Sequence, residues 1–116
     1  MKKVEIWHNP RCTKSRETLE LLKARKLELE VVPYLEEPPS AARLDEVLRL
    51  LGVEPRELMR KKEAPYRDLH LDDERRTRKE LIQAMVEHPI LIERPLVIAG
   101  KRAALGRPPE RVLQIL

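Results

Sequence analysis

Cysteine is almost missing from this chain: Cys12 is the one thiol in 116 residues. A lone cysteine cannot close a disulfide within the chain, which excludes a cross-linked secreted scaffold and favours a reducing, cytoplasmic setting. Any lasting disulfide must form with another molecule. Phenylalanine is absent and aromatics make up 3% of residues, so the core has to be built from Leu, Ile and Val. No apolar run approaches the length that spans a bilayer, and Met1-Lys2-Lys3-Val4-Glu5-Ile6 has no signal-peptide core, so no membrane partner is expected. His8, His70 and His88 share no ligand spacing with Cys12, which argues against a bound metal.

Charge of one sign is also scarce. The net charge is +4, and residues 1–39 and 40–88 are nearly balanced, so the surplus falls mostly in the last quarter of the chain. So small an excess suits a compact anion. A nucleic-acid backbone would call for a longer basic stripe, often interleaved with aromatics, and no nucleic-acid partner is expected.

The pattern that is present alternates strand and helix. Val4 to His8 reads as a strand ended by Asn9-Pro10, and Thr13 to Arg25 as a helix with Leu19, Leu21 and Leu22 inward. Leu29 to Leu35 reads as a second strand, so the opening is a βαβ unit with parallel strands. Ser40 is a candidate N-cap for a helix carrying Leu44, Val47, Leu48 and Leu51, stopped by Gly52. A short helix should run from Pro55 through Leu58 toward Lys62, followed by irregular chain from Pro65 to Asp73. Thr77 and Glu80 form a capping box for a helix with Leu81, Ile82, Met85 and Val86 inward. Gly100-Lys101 between Leu96–Ala99 and Arg102–Leu105 signals a hairpin, and Pro108-Pro109 begins a last helix through Val112, Leu113 and Leu116. The expectation is one α/β domain over residues 1–116, of order βαβ…ββα, with an all-helical insertion at about 40–88.

Cys12 lies in His8-Asn9-Pro10-Arg11-Cys12-Thr13-Lys14-Ser15-Arg16, between the first strand and the first helix. A thiol there meets the positive end of the helix dipole and unpaired N–H groups, with Arg11, Lys14 and Arg16 nearby, and these conditions favour a reactive thiolate. Ser15 occupies the place where a redox Cys-x-x-Cys needs its second sulfur, and Thr18 the place where a cysteine-phosphatase loop needs its arginine. Cys12 is left as a monothiol that must borrow a resolving thiol. Arg94, fixed before Pro95, and Arg107, between Gly106 and Pro108, are candidate oxyanion ligands; Arg60 reads locally as a helix end. His8 closes the strand before the loop and, as a partial cation, could lower the thiol pKa; a strand-end histidine facing water is the alternative.

Read together, His8-Asn9-Pro10-x-Cys12-x-x-Ser15-Arg16, Tyr34-Leu35-Glu36-x-Pro38, Arg60-Lys61, His88-Pro89-Ile90-Leu91-Ile92-x-Arg94-Pro95 and Gly106-Arg107-Pro108 resemble the glutaredoxin-linked arsenate reductase family, with Arg11 and Thr13 nearer a short branch of it. The resemblance spans nearly the whole chain. It implies a thioredoxin-like fold with a helical insertion, a Cys12 nucleophile that forms a thiol–arsenate adduct, and Arg60, Arg94 and Arg107 as oxyanion ligands. It implies support from His8 and Ser15, a cis peptide at Arg94-Pro95, no bound cofactor, glutathione or another small thiol as co-substrate, and glutaredoxin or a thioredoxin-type protein as reductant. Two other functions remain compatible with the same residues. One is a monothiol reductase or deglutathionylase; the other is a regulator of the same fold that contacts RNA polymerase, although that branch typically carries Cys-x-x-Cys.

Overall fold

Four short strands make one sheet in the computed structural model, which describes residues 2–116. They are β1 (Lys2–Trp7), β2 (Leu27–Val32), β3 (Leu96–Ala99) and β4 (Arg102–Leu105), in the spatial order β2-β1-β3-β4. β1 runs parallel to β2 and antiparallel to β3, and β3 and β4 form an antiparallel hairpin. Helix α1 (Thr13–Lys23) makes the crossover between β1 and β2, and a 3-10 helix, Pro109–Ile115, follows β4. This is the thioredoxin-like α/β arrangement.

The chain divides into two units. One runs through Glu37 and resumes from Arg94 to Leu116; the other is Pro38–Glu93. In the sheet unit Val4, Ile6, Leu22, Val97, Ala99, Val112 and Ile115 form one buried cluster, with Leu19, Leu27, Leu29 and Ala104 packed at its margin. Each such aliphatic side chain contributes about 1.5–3 kcal/mol on full burial. β2 starts and ends earlier than the span 29–35 expected from its valines. Its parallel register with β1 pairs Lys2 with Leu27 and Trp7 with Val32. Pro33 then has no N–H to extend the ladder, and the Tyr34 amide turns back to the Val32 carbonyl at 2.9 Å. The inward face of α1 also differs from the expected leucine stripe: Ser15 and Thr18 are buried with Leu22, while Leu19 and Leu21 are half-buried.

The second unit is mostly helical, with α2 (Ala41–Leu51), a 3-10 helix at Pro55–Leu58, α3 (Ala64–Asp68), α4 (Arg78–Glu87) and a 3-10 turn at Pro89–Leu91. Ser40 Oγ accepts from the Arg43 amide at 3.1 Å, and Gly52 ends α2 in the left-handed region at φ 70°. The Thr77–Glu80 capping box opens α4, which packs against α2. On α4 Ala84 is buried and Val86 only half-buried, so the apolar stripe is rotated slightly from the one expected. The Pro55 helix stops at Leu58 instead of reaching Lys62. Met59 there pairs with Ile92 in an antiparallel bridge and the Arg60 amide donates to the Leu91 carbonyl at 2.6 Å, which holds the chain extended. The stretch expected to be irregular contains α3, whose first turn holds Pro65. Among the described residues, no helix is long and apolar enough to cross a membrane.

Candidate active site

The loop after β1 is tied together by its own polar groups. Asn9 is buried; its Oδ1 accepts from the Arg11 amide at 3.0 Å, and its carbonyl accepts from the Cys12 amide at 3.0 Å. This is an Asx-type turn, which Asn favours because its side chain imitates a backbone carbonyl. Ser15 is fully buried, and its Oγ accepts from the Asn9 amide at 3.1 Å while lying 2.7 Å from His8 Nδ1. The Arg16 guanidinium donates to the Pro10 carbonyl at 2.8 Å. Cys12 is thereby delivered as the N-cap of α1, half-buried and extended at φ −96° and ψ 122°.

No side chain caps this helix, so its first amides remain available to the sulfur. Burial pushes the Cys12 thiol up. Against it act the Ser15 amide, then the Arg94 guanidinium by hydrogen bonding and by charge, then the Lys14 amide; together they bring the thiol below its ordinary value. Burial first, and then the charges of Lys23 and Arg16, hold the pKa of His8 below the usual histidine value, which disfavours the partial cation that is one of the two readings of this residue. Its link to the site is Ser15, whose hydroxyl can donate to a neutral Nδ1 while accepting from Asn9.

Arg94 comes from far along the chain and enters through the cis peptide Arg94-Pro95. Two of its guanidinium nitrogens, Nε and Nη1, are buried with no hydrogen-bond partner. Buried donors are nearly always paired in folded proteins, so two unused ones beside a thiol are donors in waiting for an acceptor. Arg107, next to a second cis peptide at Arg107-Pro108, is exposed, and its Nη1 donates to the Arg94 carbonyl at 2.9 Å. The Gly106 amide donates to the Pro95 carbonyl at 2.9 Å. A Cβ on Gly106 would lie 2.5 Å from Thr18 Oγ1 and 2.7 Å from Pro95 Cγ, so only glycine lets the Arg107 loop close on α1 and Pro95.

The sheet unit thus gathers His8, Cys12, Ser15, Arg94, Pro95 and Arg107. Arg60 belongs to the helical unit, where its side chain lies 3.3 Å from Glu63 and 3.7 Å from Glu93. Among the described residues, no group of three or more His, Cys, Asp or Glu side chains is placed to hold a metal ion.

The ArsC family profile matches residues 7–115, which take in the Cys12 loop, Arg94-Pro95 and Arg107. The chain belongs to the ArsC family. Over 116 residues it is 55% identical to an uncharacterised protein of Escherichia coli strain K12, covering 99% of this chain and 98% of that one. It is 45% identical over 114 residues to the arsenate reductase of Haemophilus influenzae, covering 97% of this chain and 98% of that one. The solved structure of the arsenate reductase from Vibrio cholerae superposes with a TM-score of 0.95 at 47% identity, covering 99% of this chain and 98% of that one.

Within this ArsC fold two contributors were not among the residues singled out from sequence. Asn9 organises the loop, and Gly106 permits the close approach that positions Arg107. The Asn-Pro dipeptide is a local signal for the first. Gly106 carries no local signal, because the atoms it must avoid belong to Thr18 and Pro95.

Proposed function

We propose that this ArsC protein is an arsenate reductase that uses Cys12 as nucleophile and an external thiol as reductant. The observation that carries the reading is the pair of buried, unpartnered Arg94 nitrogens beside a thiol whose ionised form is favoured. Guanidinium forks match tetrahedral oxyanions, and the open amides of α1 add donors for the same charge. The Cys12 thiolate attacks arsenic, and one arsenate oxygen leaves as water after taking up protons, giving a thiol–arsenate adduct. A glutathione thiolate then attacks the Cys12 sulfur. The Cys12–arsenic bond breaks, its electron pair stays on arsenic, arsenite departs, and a Cys12–glutathione disulfide remains. Glutaredoxin, or a thioredoxin-type protein, reduces that disulfide and restores Cys12.

Arg94 would hold the oxyanion, Arg107 would fix Arg94 through its carbonyl, and Arg60 would serve as a further ligand, as the family resemblance implies. Ser15 and His8 would keep the loop in the geometry that aims the α1 amides at sulfur. A free thiol of this kind persists in a reducing compartment, which favours action in the cytoplasm. The test is arsenite formation with glutathione and glutaredoxin, comparing the wild type with Cys12→Ser. Arsenate-dependent turnover should vanish in the variant. Equal arsenite formation by the serine variant would overturn the mechanism, and reduction of glutathione mixed disulfides without any arsenate turnover would replace it with a deglutathionylase.

A further inference from the structure

Beside the Cys12 loop, within the sheet unit, lies a cleft of about 190 Å³ that the oxyanion chemistry does not use. It is lined by His8, Asn9, Pro10 and Arg11 of the loop before Cys12 and by Pro33, Leu35 and Glu36 of the chain after β2. The surface is apolar at the two prolines and Leu35, with one cation and one anion at its edges. The guanidinium of Arg11 and the carboxylate of Glu36 are both on exposed residues, and neither is in an ion pair or side-chain hydrogen bond among the described residues. Two opposite charges left unpaired on the same small cleft are a pattern that a zwitterion completes.

We propose that this cleft binds the charged arm of the small thiol that resolves Cys12, with Arg11 receiving an α-carboxylate and Glu36 an α-ammonium. The proposal rests on the reading that Cys12 works with an external thiol and adds where, and by what chemistry, that thiol is recognised. The volume decides what can enter. Pockets that enclose a whole drug-sized ligand occupy about 300–1,000 Å³, so this one takes a single amino-acid-sized arm and leaves the rest of the molecule outside. A γ-glutamyl arm fits that description: its carboxylate and ammonium share one carbon, and its aliphatic stem can lie on Pro10, Pro33 and Leu35. Arg11 directly precedes Cys12, with consecutive Cα atoms about 3.8 Å apart, so an arm anchored here keeps the thiol it carries close to the sulfur it must meet. A guanidinium is suited to a carboxylate because it donates two parallel N–H bonds. Neutral thiols of similar reactivity gain nothing from either charge.

The test uses the whole protein and contains no arsenate. Purified protein with reduced Cys12 is mixed with glutathione disulfide, or separately with the uncharged 2-hydroxyethyl disulfide, and mixed-disulfide formation is followed by mass spectrometry. In each reaction the Cys12 thiolate forms a bond to one sulfur of the reagent while the other sulfur leaves as a thiolate, so no further oxidant is needed. Arg11→Gln and Glu36→Gln should each slow the glutathione disulfide reaction about two- to fivefold, the range expected for an exposed ion pair. The 2-hydroxyethyl disulfide reaction should not change in Glu36→Gln, and in Arg11→Gln it should slow less than the glutathione disulfide reaction. An equal slowing with both reagents would show that Arg11 acts on thiol reactivity alone and would overturn the proposal, as would no slowing with either. Charge-dependent selectivity in a protein that fails to reduce arsenate would support the cleft while removing the functional reading on which it was built.

Discussion

Arg94 and Arg60, one in each unit, occupy opposite electrical circumstances. In the sheet unit the Arg94 guanidinium lowers the pKa of the Cys12 thiol and keeps two buried nitrogens without an acceptor. In the helical unit Arg60 already has Glu63 and Glu93 beside it, within 3.3 and 3.7 Å. A buried donor with nothing to bind is costly to the fold and favourable to a ligand, whereas a donor shared between two carboxylates is satisfied before any ligand arrives. The sheet unit thus holds unspent binding capacity, and an anion could recruit Arg60 only by competing with its acidic neighbours.

The largest test of that contrast is Arg94→Gln. If Arg94 holds the oxyanion as proposed, its loss should lower kcat/KM for arsenate about 10²- to 10³-fold. The same substitution should raise the Cys12 pKa toward that of an ordinary thiol, because Arg94 lowers it by both hydrogen bonding and charge. Alkylation of Cys12 by iodoacetamide, measured against pH, reads this shift directly: at neutral pH the variant should react more slowly, and its profile should move to higher pH. Arg60→Gln should cost arsenate turnover less and leave the alkylation profile in place. An Arg60 variant as damaged as the Arg94 one, or an unmoved profile in Arg94→Gln, would erase the distinction.

Next in size is a steric test confined to the sheet unit. Gly106→Ala places a methyl 2.5 Å from Thr18 Oγ1 and 2.7 Å from Pro95 Cγ. The overpacking should cost about 1–3 kcal/mol in urea unfolding, since the Pro95 ring is rigid and the Thr18 hydroxyl is held by its bond to the Lys14 carbonyl. In the helical unit Thr77→Ala should cost about 1 kcal/mol through loss of the N-cap bond to the Glu80 amide, which is 3.1 Å long. Arsenate turnover should fall with the glycine substitution and hold with the cap substitution. The glycine closes the Arg107 loop; the cap only starts a helix.

The smallest effect is a pH dependence of stability. The folded-state pKa of His8 lies below its ordinary value, first through burial and then through Lys23 and Arg16. As pH falls below about 6.5 the unfolded chain binds the proton before the folded one does, so the neutral imidazole's contribution declines until the folded pKa is passed. His8→Gln should therefore lose less stability than the wild type between pH 7 and the acid side of that window. Identical slopes in urea titrations of the two proteins would mean that His8 titrates as in the unfolded chain.

What could be read without coordinates was whatever local rules specify. Gly100, at φ 62°, marks the hairpin turn, and Thr77 with Glu80 marks the start of α4, because each signal sits within a few residues of its effect. The ends of β2 and of the Pro55 helix were misread for the converse reason. One is set by register against β1, the other by the pairing of Met59 with Ile92, and neither partner is nearby in sequence. At the site, Cys12 announced itself through its loop and helix start, and Ser15 through the sulfur it replaces. The unused nitrogens of Arg94, the lowered pKa of His8 and the clearance around Gly106 are products of packing. No window along the chain contains them.

Ser15 has one consequence that reaches past the site. Its buried oxygen is the knot that joins Asn9, His8 and the start of α1. A sulfur there would be a larger atom and a far weaker hydrogen-bond partner, so the change that would give Cys12 an internal mate would also loosen the loop that presents it. With Ser15 in that place Cys12 has no second sulfur in the chain to pair with, so on the mechanism proposed above its pace would follow the supply of reduced thiol around it.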